Sequence, residues 1–230
     1  MREIVFDTET TGLSPADGDR LVEIGCIELV DRIETGRTFH TYFNPRRPMP
    51  TGAENVHGLT DAFLSDKPDF TERCEELLDF LEDSKLIAHN AAFDFGFLNH
   101  ELGLCGRAAI DEARMVCTLA LARHRHPGAK HSLDALCARF GVDRSIRVRH
   151  GALVDARLLV QIYIELTGGR QIGLSLGGAE DRARAADTVR PLRVPRPPRP
   201  HRPSAEELAR HAAFVAGIAN PLWARTAGRS

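Results

Sequence analysis

Three short stretches place acidic side chains where chemistry could be done. Asp7 and Glu9 stand two apart at the end of the first strand-like run, so they point to the same side of a sheet. Ligands gather at strand ends in α/β sheets, although strands also finish in polar residues simply because a turn follows. Asp94, in His89-Asn-Ala-Ala-Phe-Asp94, follows a buried-looking strand and lies in the first turn of a helix, where the helix dipole alone would favour it. Asp155 lies in the first turn of a later helix, with the same ordinary explanation. His150 precedes it by five residues. On a continuous helix that spacing sets two side chains about 140° apart. If the helix starts near Ala152 instead, His150 sits on the preceding loop and the two converge on one point. An imidazole among carboxylates has the groups for holding a ligand and moving a proton.

The elements that must position these groups read as a mixed α/β domain. Ile4-Val-Phe, Leu21 to Val30 and Arg37 to Phe43 are strand-like, ended by Thr-Thr-Gly, Asp-Arg and Asn44-Pro45. Their order predicts three consecutive antiparallel strands. Phe70, Cys74, Leu77, Leu78 and Leu81 make a helical stripe over 70–81. A short strand Lys85-Leu-Ile-Ala, a helix from Phe93 to Leu104, a strand Met115-Val-Cys and helices over 119–125, 132–140 and 153–167 complete the pattern. The expected fold class is α/β, a mixed sheet flanked by helices, ending near Thr167-Gly168-Gly169.

Composition narrows the setting. The chain has 230 residues, 43% of them hydrophobic, enough for one good-sized domain with an appendage. No apolar run approaches a membrane span, and Met1-Arg-Glu-Ile-Val-Phe begins a strand pattern at once, so neither a membrane nor a leader is expected. The five cysteines are scattered and lack C-x-x-C spacing, which predicts reduced thiols in a cytoplasm. The net charge of −2 divides unevenly, −8 over 1–168 and +6 over 169–230. Within the acidic part, 114–150 carries eight Lys/Arg and four His against two Asp. That basic segment is weak support for an anionic ligand, and a solvated helical face accounts for it equally well.

Taken together, DTETTGL at 7–13, HNAAFDFGFL at 89–98 and HGALVDA at 150–156 resemble the three motifs of the DEDDh family of 3′–5′ exonucleases, with VHGLT at 56–60 as a fourth family-like feature. The resemblance spans nearly all of 1–168 and implies a ribonuclease-H-like fold. It also implies two divalent ions, Mg²⁺ or Mn²⁺, about 3.5–4 Å apart. Hard oxygen ligands suit those ions, and four gathered carboxylates would repel one another without them. The resemblance assigns Asp7 to both ions, Glu9 and Asp155 to the ion nearest the attacking water, and Asp94 to the second. His150 becomes the general base. Thr8, Thr10, Gly12 and Leu13 correspond to a loop that cradles the terminal nucleotide, Gly12 fitting a tight turn equally well. His57 corresponds to a nucleotide contact, with a capping role as the alternative, and Asn90 and Phe93 to residues shaping the DNA path. Cys117 stands where many relatives have an aspartate, and no role follows for it.

The tail points to one branch of the family. Gln171-Ile-Gly-Leu174-Ser-Leu176 resembles the Q-x-x-L-x-[LF] peptide that docks on bacterial sliding clamps. Six prolines between 191 and 203 predict an extended linker over 169–203. Ser204-Ala-Glu-Glu207 fits a capping box, and Leu208, Ala212, Val215, Ala219 and Leu222 continue as an apolar stripe ending at Trp223. That segment, 204–230, resembles the polymerase-anchoring tail of proofreading exonucleases, with the polymerase α subunit as partner and Trp223 as an interface anchor. Ser132 to Cys137 also resembles a segment of that branch. The expected activity is hydrolysis of the 3′ end of single-stranded DNA beside a polymerase, with a third core subunit as a further partner. The rivals are a stand-alone ribonuclease of the same superfamily and, in another class, a non-catalytic scaffold joining clamp and polymerase.

Overall fold

The computed structural model describes residues 1–145, 147, 149–168 and 202–219, and the chain divides into two units, Met1–Leu174 and Ser175–Ser230. The first unit is built on five strands: β1 (Arg2–Thr10), β2 (Leu21–Val30), β3 (Ile33–Tyr42), β4 (Lys85–Ala88) and β5 (Met115–Cys117). Their order is β3-β2-β1-β4-β5. β1, β2 and β3 pair antiparallel, while β4 runs parallel to both β1 and β5. β1 is therefore central, and its two faces meet different helices. Ile4 and Phe6 enter one core with Phe70, Leu77, Phe95 and Leu98. Val5 enters the other with Ala156, Leu159, Val160 and Tyr163. β1 and β2 are accordingly buried along nearly their whole length, although only Ile4, Val5 and Phe6 of β1 are apolar.

The helices follow the expected order. They are α1 (Thr51–His57), α2 (Asp61–Leu64), α3 (Phe70–Leu81), α4 (Ala91–Leu104), α5 (Thr118–Arg125), α6 (Leu133–Phe140) and α7 (Ala152–Leu166). The bounds of α3, β4 and β5 match the expectation from sequence. In α3 the buried stripe runs through Phe80, with Leu78 only partly buried against it. β3 starts at Ile33, four residues before the sequence pattern suggested, because 33–38 is exposed edge strand and shows no apolar alternation. α1 and α2 were not foreseen. They are short, seven and four residues, and α1 is bounded by Pro50 and Gly58. Their support is local: the Asp61 carboxylate accepts from the Met49 N–H at 2.8 Å, and Gly58 closes α1 at φ 78°.

Two contacts fix the frame around the end of β1. Glu101 on α4 is buried and accepts from Arg20 Nε at 2.7 Å, from Arg20 Nη2 at 2.8 Å and from the Leu21 N–H at 3.1 Å, tying α4 to the start of β2. Gly25 on β2 lies opposite Asp7. A Cβ there would overlap the backbone of Ala152 and Leu153, so its absence lets the first turn of α7 rest directly on the sheet.

In the second unit, α8 (Ala205–Ala216) begins at the expected capping box: Ser204 Oγ accepts from the Glu207 N–H at 3.2 Å, and Glu207 Oε2 accepts from the Ser204 N–H at 2.7 Å. The helix closes at Ala216, with Gly217 following, earlier than the stripe through Leu222 implied. Ala219 is past its end, and Leu222 and Trp223 lie outside the described residues. None of its side chains is buried, and Leu208 and Phe214 are exposed.

Candidate active site

Strand parity and two helix starts bring the acidic groups together. Asp7 and Glu9 share the parity of Val5 and so face α7. Thr8 points the other way, and its Oγ1 donates to Asp94 Oδ1 at 2.7 Å. Asp94 is buried in the first turn of α4, whose strand β4 lies parallel to β1, so it reaches the same strand end. Asp155 is buried in the first turn of α7. Helix α7 starts at Ala152, which leaves His150 on the loop before it, and His150 Nδ1 stands 3.2 Å from Asp155 Oδ2. Ligand atoms of Glu9, His150 and Asp155 all lie within 4.8 Å of one another.

The electrostatics show that Asp7 belongs to the same group. Burial and the negative charges of Asp94, Glu9 and Asp155 push its carboxyl well above the ordinary carboxylate range, against a smaller opposing pull from Arg147. Burial, followed by the charges of Glu23 and Asp155, carries Glu9 up to about 8. Burial raises Asp94 to about 7, opposed by the Thr8 hydroxyl. The donors are hard oxygens crowded at like charge, and buried Glu9 Oε1 has no hydrogen-bond partner. A divalent cation fits such a set: it supplies the missing partner and offsets the repulsion.

Two participants were not singled out in the sequence. Glu23 pairs with Glu9 across β1 and β2, is buried, and holds His40 Nε2 at 2.7 Å. Its signal was an acid inside an apolar strand. Arg147 lies in the basic segment noted above and binds Asp155 with two donors, Nε to Oδ1 at 2.5 Å and Nη2 to Oδ2 at 2.6 Å. Only the fold shows that this cation faces the carboxylates.

The neighbouring positions divide. Thr10 Oγ1 donates to the Gly12 carbonyl at 2.6 Å, and Leu13 is 85% exposed at the tip of that loop. Gly12 is required by close approach: a Cβ would fall on the Asp19 carboxylate, which the Ser14 N–H and Arg47 hold in place. His57 is buried; its Nδ1 accepts from the Leu59 N–H at 3.0 Å, a capping contact, and its Nε2 has no partner. Asn90 precedes α4 in the left-handed region at φ 63°, and Phe93 packs on Phe97 with ring centroids 5.0 Å apart. Gln171, Leu174, Leu176 and Trp223 lie outside the described residues.

Comparison with known proteins agrees with this geometry. The family described as Exonuclease matches residues 4–163. DNA polymerase III subunit epsilon of Rickettsia felis is 48% identical over 223 residues, covering 95% of this chain and 97% of that protein. The Escherichia coli K12 subunit of the same name is 40% identical over 222 residues, covering 92% and 91%. Among solved structures, exonuclease X in complex with 5′ overhanging duplex DNA matches with a TM-score of 0.57 and 26% identity, covering 79% of this chain and 97% of that one. The nuclease domain of 3′hExo, a DEDDh family member bound to rAMP, shares the fold with a TM-score of 0.63 at 17% identity, covering 72% and 91%. Sheet order, carboxylate cluster and these matches define a ribonuclease-H-like, divalent-metal-dependent 3′–5′ exonuclease. Within that class, the chain belongs to the family of DNA polymerase III epsilon subunits.

The raised carboxyls make stability depend on pH in a definite direction. Without metal, folded Glu9 keeps its proton up to about 8, whereas an unfolded glutamate releases it near 4.5. The folded state therefore binds more protons through that window, and its stability falls as pH rises. In EDTA, the wild-type Tm is expected to fall relative to Glu9→Gln between pH 4.5 and 8, and Mg²⁺ is expected to restore it most at the alkaline end. A wild-type minus variant difference that is flat or rises with pH would contradict the cluster.

Proposed function

We propose that this chain is the proofreading exonuclease of a replicative DNA polymerase, removing nucleoside monophosphates from the 3′ end of single-stranded DNA. The observation that carries the reading is the convergence of Asp7, Glu9, Asp94, Asp155 and His150 at the end of β1. The four carboxylates would hold two divalent ions, Mg²⁺ or Mn²⁺, with Asp7 shared. When bound, such ions activate water, neutralise the phosphate and support the departing 3′-oxygen. His150 is half-exposed, so solvent and substrate can reach it, and Asp155 orients its ring. It takes the proton of the attacking water at a ring nitrogen and passes it to solvent. The loop bearing Thr10, Gly12 and the exposed Leu13 would seat the terminal nucleotide, with Thr8, His57, Asn90 and Phe93 around it. Mismatched ends are favoured because they unpair at lower cost.

The division of labour proposed is a nuclease over 1–168, a linker over 169–203 with a clamp peptide at Gln171, Leu174 and Leu176, and a polymerase anchor over 204–230 that includes Trp223. The relatives' match across 95% and 92% of this chain supports a shared plan that includes the tail. The unburied apolar side chains of α8 fit a partner surface on the polymerase subunit, and tethering would raise the local concentration of nuclease. A third core subunit would bind the nuclease unit. The deciding experiment is a rate comparison on matched single-stranded DNA and RNA 3′ ends with Mg²⁺ and with Mn²⁺. Preferential release of deoxynucleoside monophosphates from the 3′ end supports the reading. Preference for RNA favours the stand-alone ribonuclease, and inertness with both metals favours the scaffold.

Gly25 supplies a test of positioning. Gly25→Ala forces α7 away from β2, two residues before Asp155. Overpacking of this kind costs about 2 kcal/mol, and a shift of about 1 Å in a catalytic group costs on the order of 10²-fold in rate. Urea denaturation and kcat measurements should register both. Normal activity in Gly25→Ala would show that the close approach does not position Asp155.

A further inference from the structure

The guanidinium of Arg147 occupies both carboxylate oxygens of Asp155, at 2.5 and 2.6 Å, and its Nη2 also lies 2.8 Å from His150 Nδ1. Arg147 is almost fully buried and Asp155 more so. These are the atoms that a cation would need. Its third contact leads elsewhere: Nη1 donates at 2.8 Å to Asp134 on α6, a carboxylate shared with Arg144 at 3.1 Å. A cleft of about 260 Å³, lined by Asp134, Arg144, Arg147, Arg149 and His150, opens beside the side chain.

We propose that Arg147 is a metal-displaced latch. Without an ion it chelates Asp155, supplies positive charge to a cluster that would otherwise repel itself, and engages His150. When a divalent cation takes the Asp155 oxygens, the guanidinium withdraws towards Asp134 and the cleft, releasing His150 at the same time. One event thus loads the ligand and frees the base. The bidentate geometry matters, because a guanidinium fork blocks both oxygens where a point charge would block one. The latch offsets the carboxylates' repulsion and competes with the ion for Asp155.

This inference rests on the metal-site reading, and binding of Mn²⁺ alone, without DNA, separates the two. Free Mn²⁺ would be titrated by electron paramagnetic resonance against the full-length wild type, Arg147→Met, Arg147→Lys and Arg144→Met, with Tm recorded with and without the ion. Losing a charge-assisted bidentate pair should tighten Mn²⁺ binding in Arg147→Met by about tenfold or more. Its metal-free Tm should fall below that of wild type, and its Mn²⁺-induced rise should be larger. Arg147→Lys keeps the charge without the fork and should bind Mn²⁺ more tightly than wild type by a few-fold, which serves if the Met variant does not fold. Arg144→Met leaves the fork on Asp155 in place and only frees Asp134 of a competing cation, so its Mn²⁺ binding should stay much closer to wild type than that of Arg147→Met. Equal or weaker Mn²⁺ binding by the Arg147 variants would overturn the latch and make Arg147 a positioner of Asp155. A wild type that binds no Mn²⁺ at all would overturn the metal-site reading beneath it.

Discussion

Asp7→Asn is expected to abolish nuclease activity while making the metal-free protein more stable. Asp7 is the carboxyl on which the charges of Asp94, Glu9 and Asp155 converge, so it is the group best placed to be shared between ions. Metal assistance to a phosphodiester cleavage contributes several kcal/mol, and each 1.36 kcal/mol is tenfold in rate, so a loss on the order of 10⁴-fold follows. The amide fills the same volume without charge, and the neighbouring acids lose one source of repulsion. In EDTA the Tm of Asp7→Asn should therefore exceed that of wild type, and added Mn²⁺ should raise it little. Opposite movement of activity and metal-free stability distinguishes a ligand from a structural residue. A variant that loses both would place Asp7 in the framework instead.

His150→Ala should lower kcat on the order of 10²-fold or more, with Mn²⁺ binding retained. The ring is half-exposed and contacts Asp155 and Arg147, so its removal opens space beside the buried carboxylates. Free imidazole should diffuse into that space and restore part of the rate. Because the ring also lies within ligand range of Glu9 and Asp155, the binding measurement has a second use. Loss of Mn²⁺ binding together with activity would make His150 a ligand and not the base.

The legible parts of this molecule are those where local pattern and tertiary need agree. Helix α3 carries its capping box and apolar stripe in twelve residues, and nothing elsewhere overrides them. The acids proposed as catalytic were legible because each sits at a strand end or in a helix's first turn, positions fixed by local structure. His150 could be placed for the same reason, since the start of α7 decided which way it faced. The edge of β3 and the short helices α1 and α2 were not legible, because exposed strand and helices of one or two turns take their form from long-range pairing and turn contacts. Glu23 acquires its place from strand register, and Arg147 from its contacts with Asp155 and Asp134. Neither of those is written in spacing along the chain.

Gly25 leaves room for α7 on the sheet, and among the described residues α7 is the last element of the first unit in chain order. The strand that begins the chain bears the first acids, but the closing acid and the base arrive with 150–155. On the ribosome, at roughly 5–20 residues per second, the stretch bearing β1 to β5 emerges before two of the five proposed site residues, His150 and Asp155. Docking of that one helix closes the second core of the sheet and brings the last two of the proposed site residues to the end of β1.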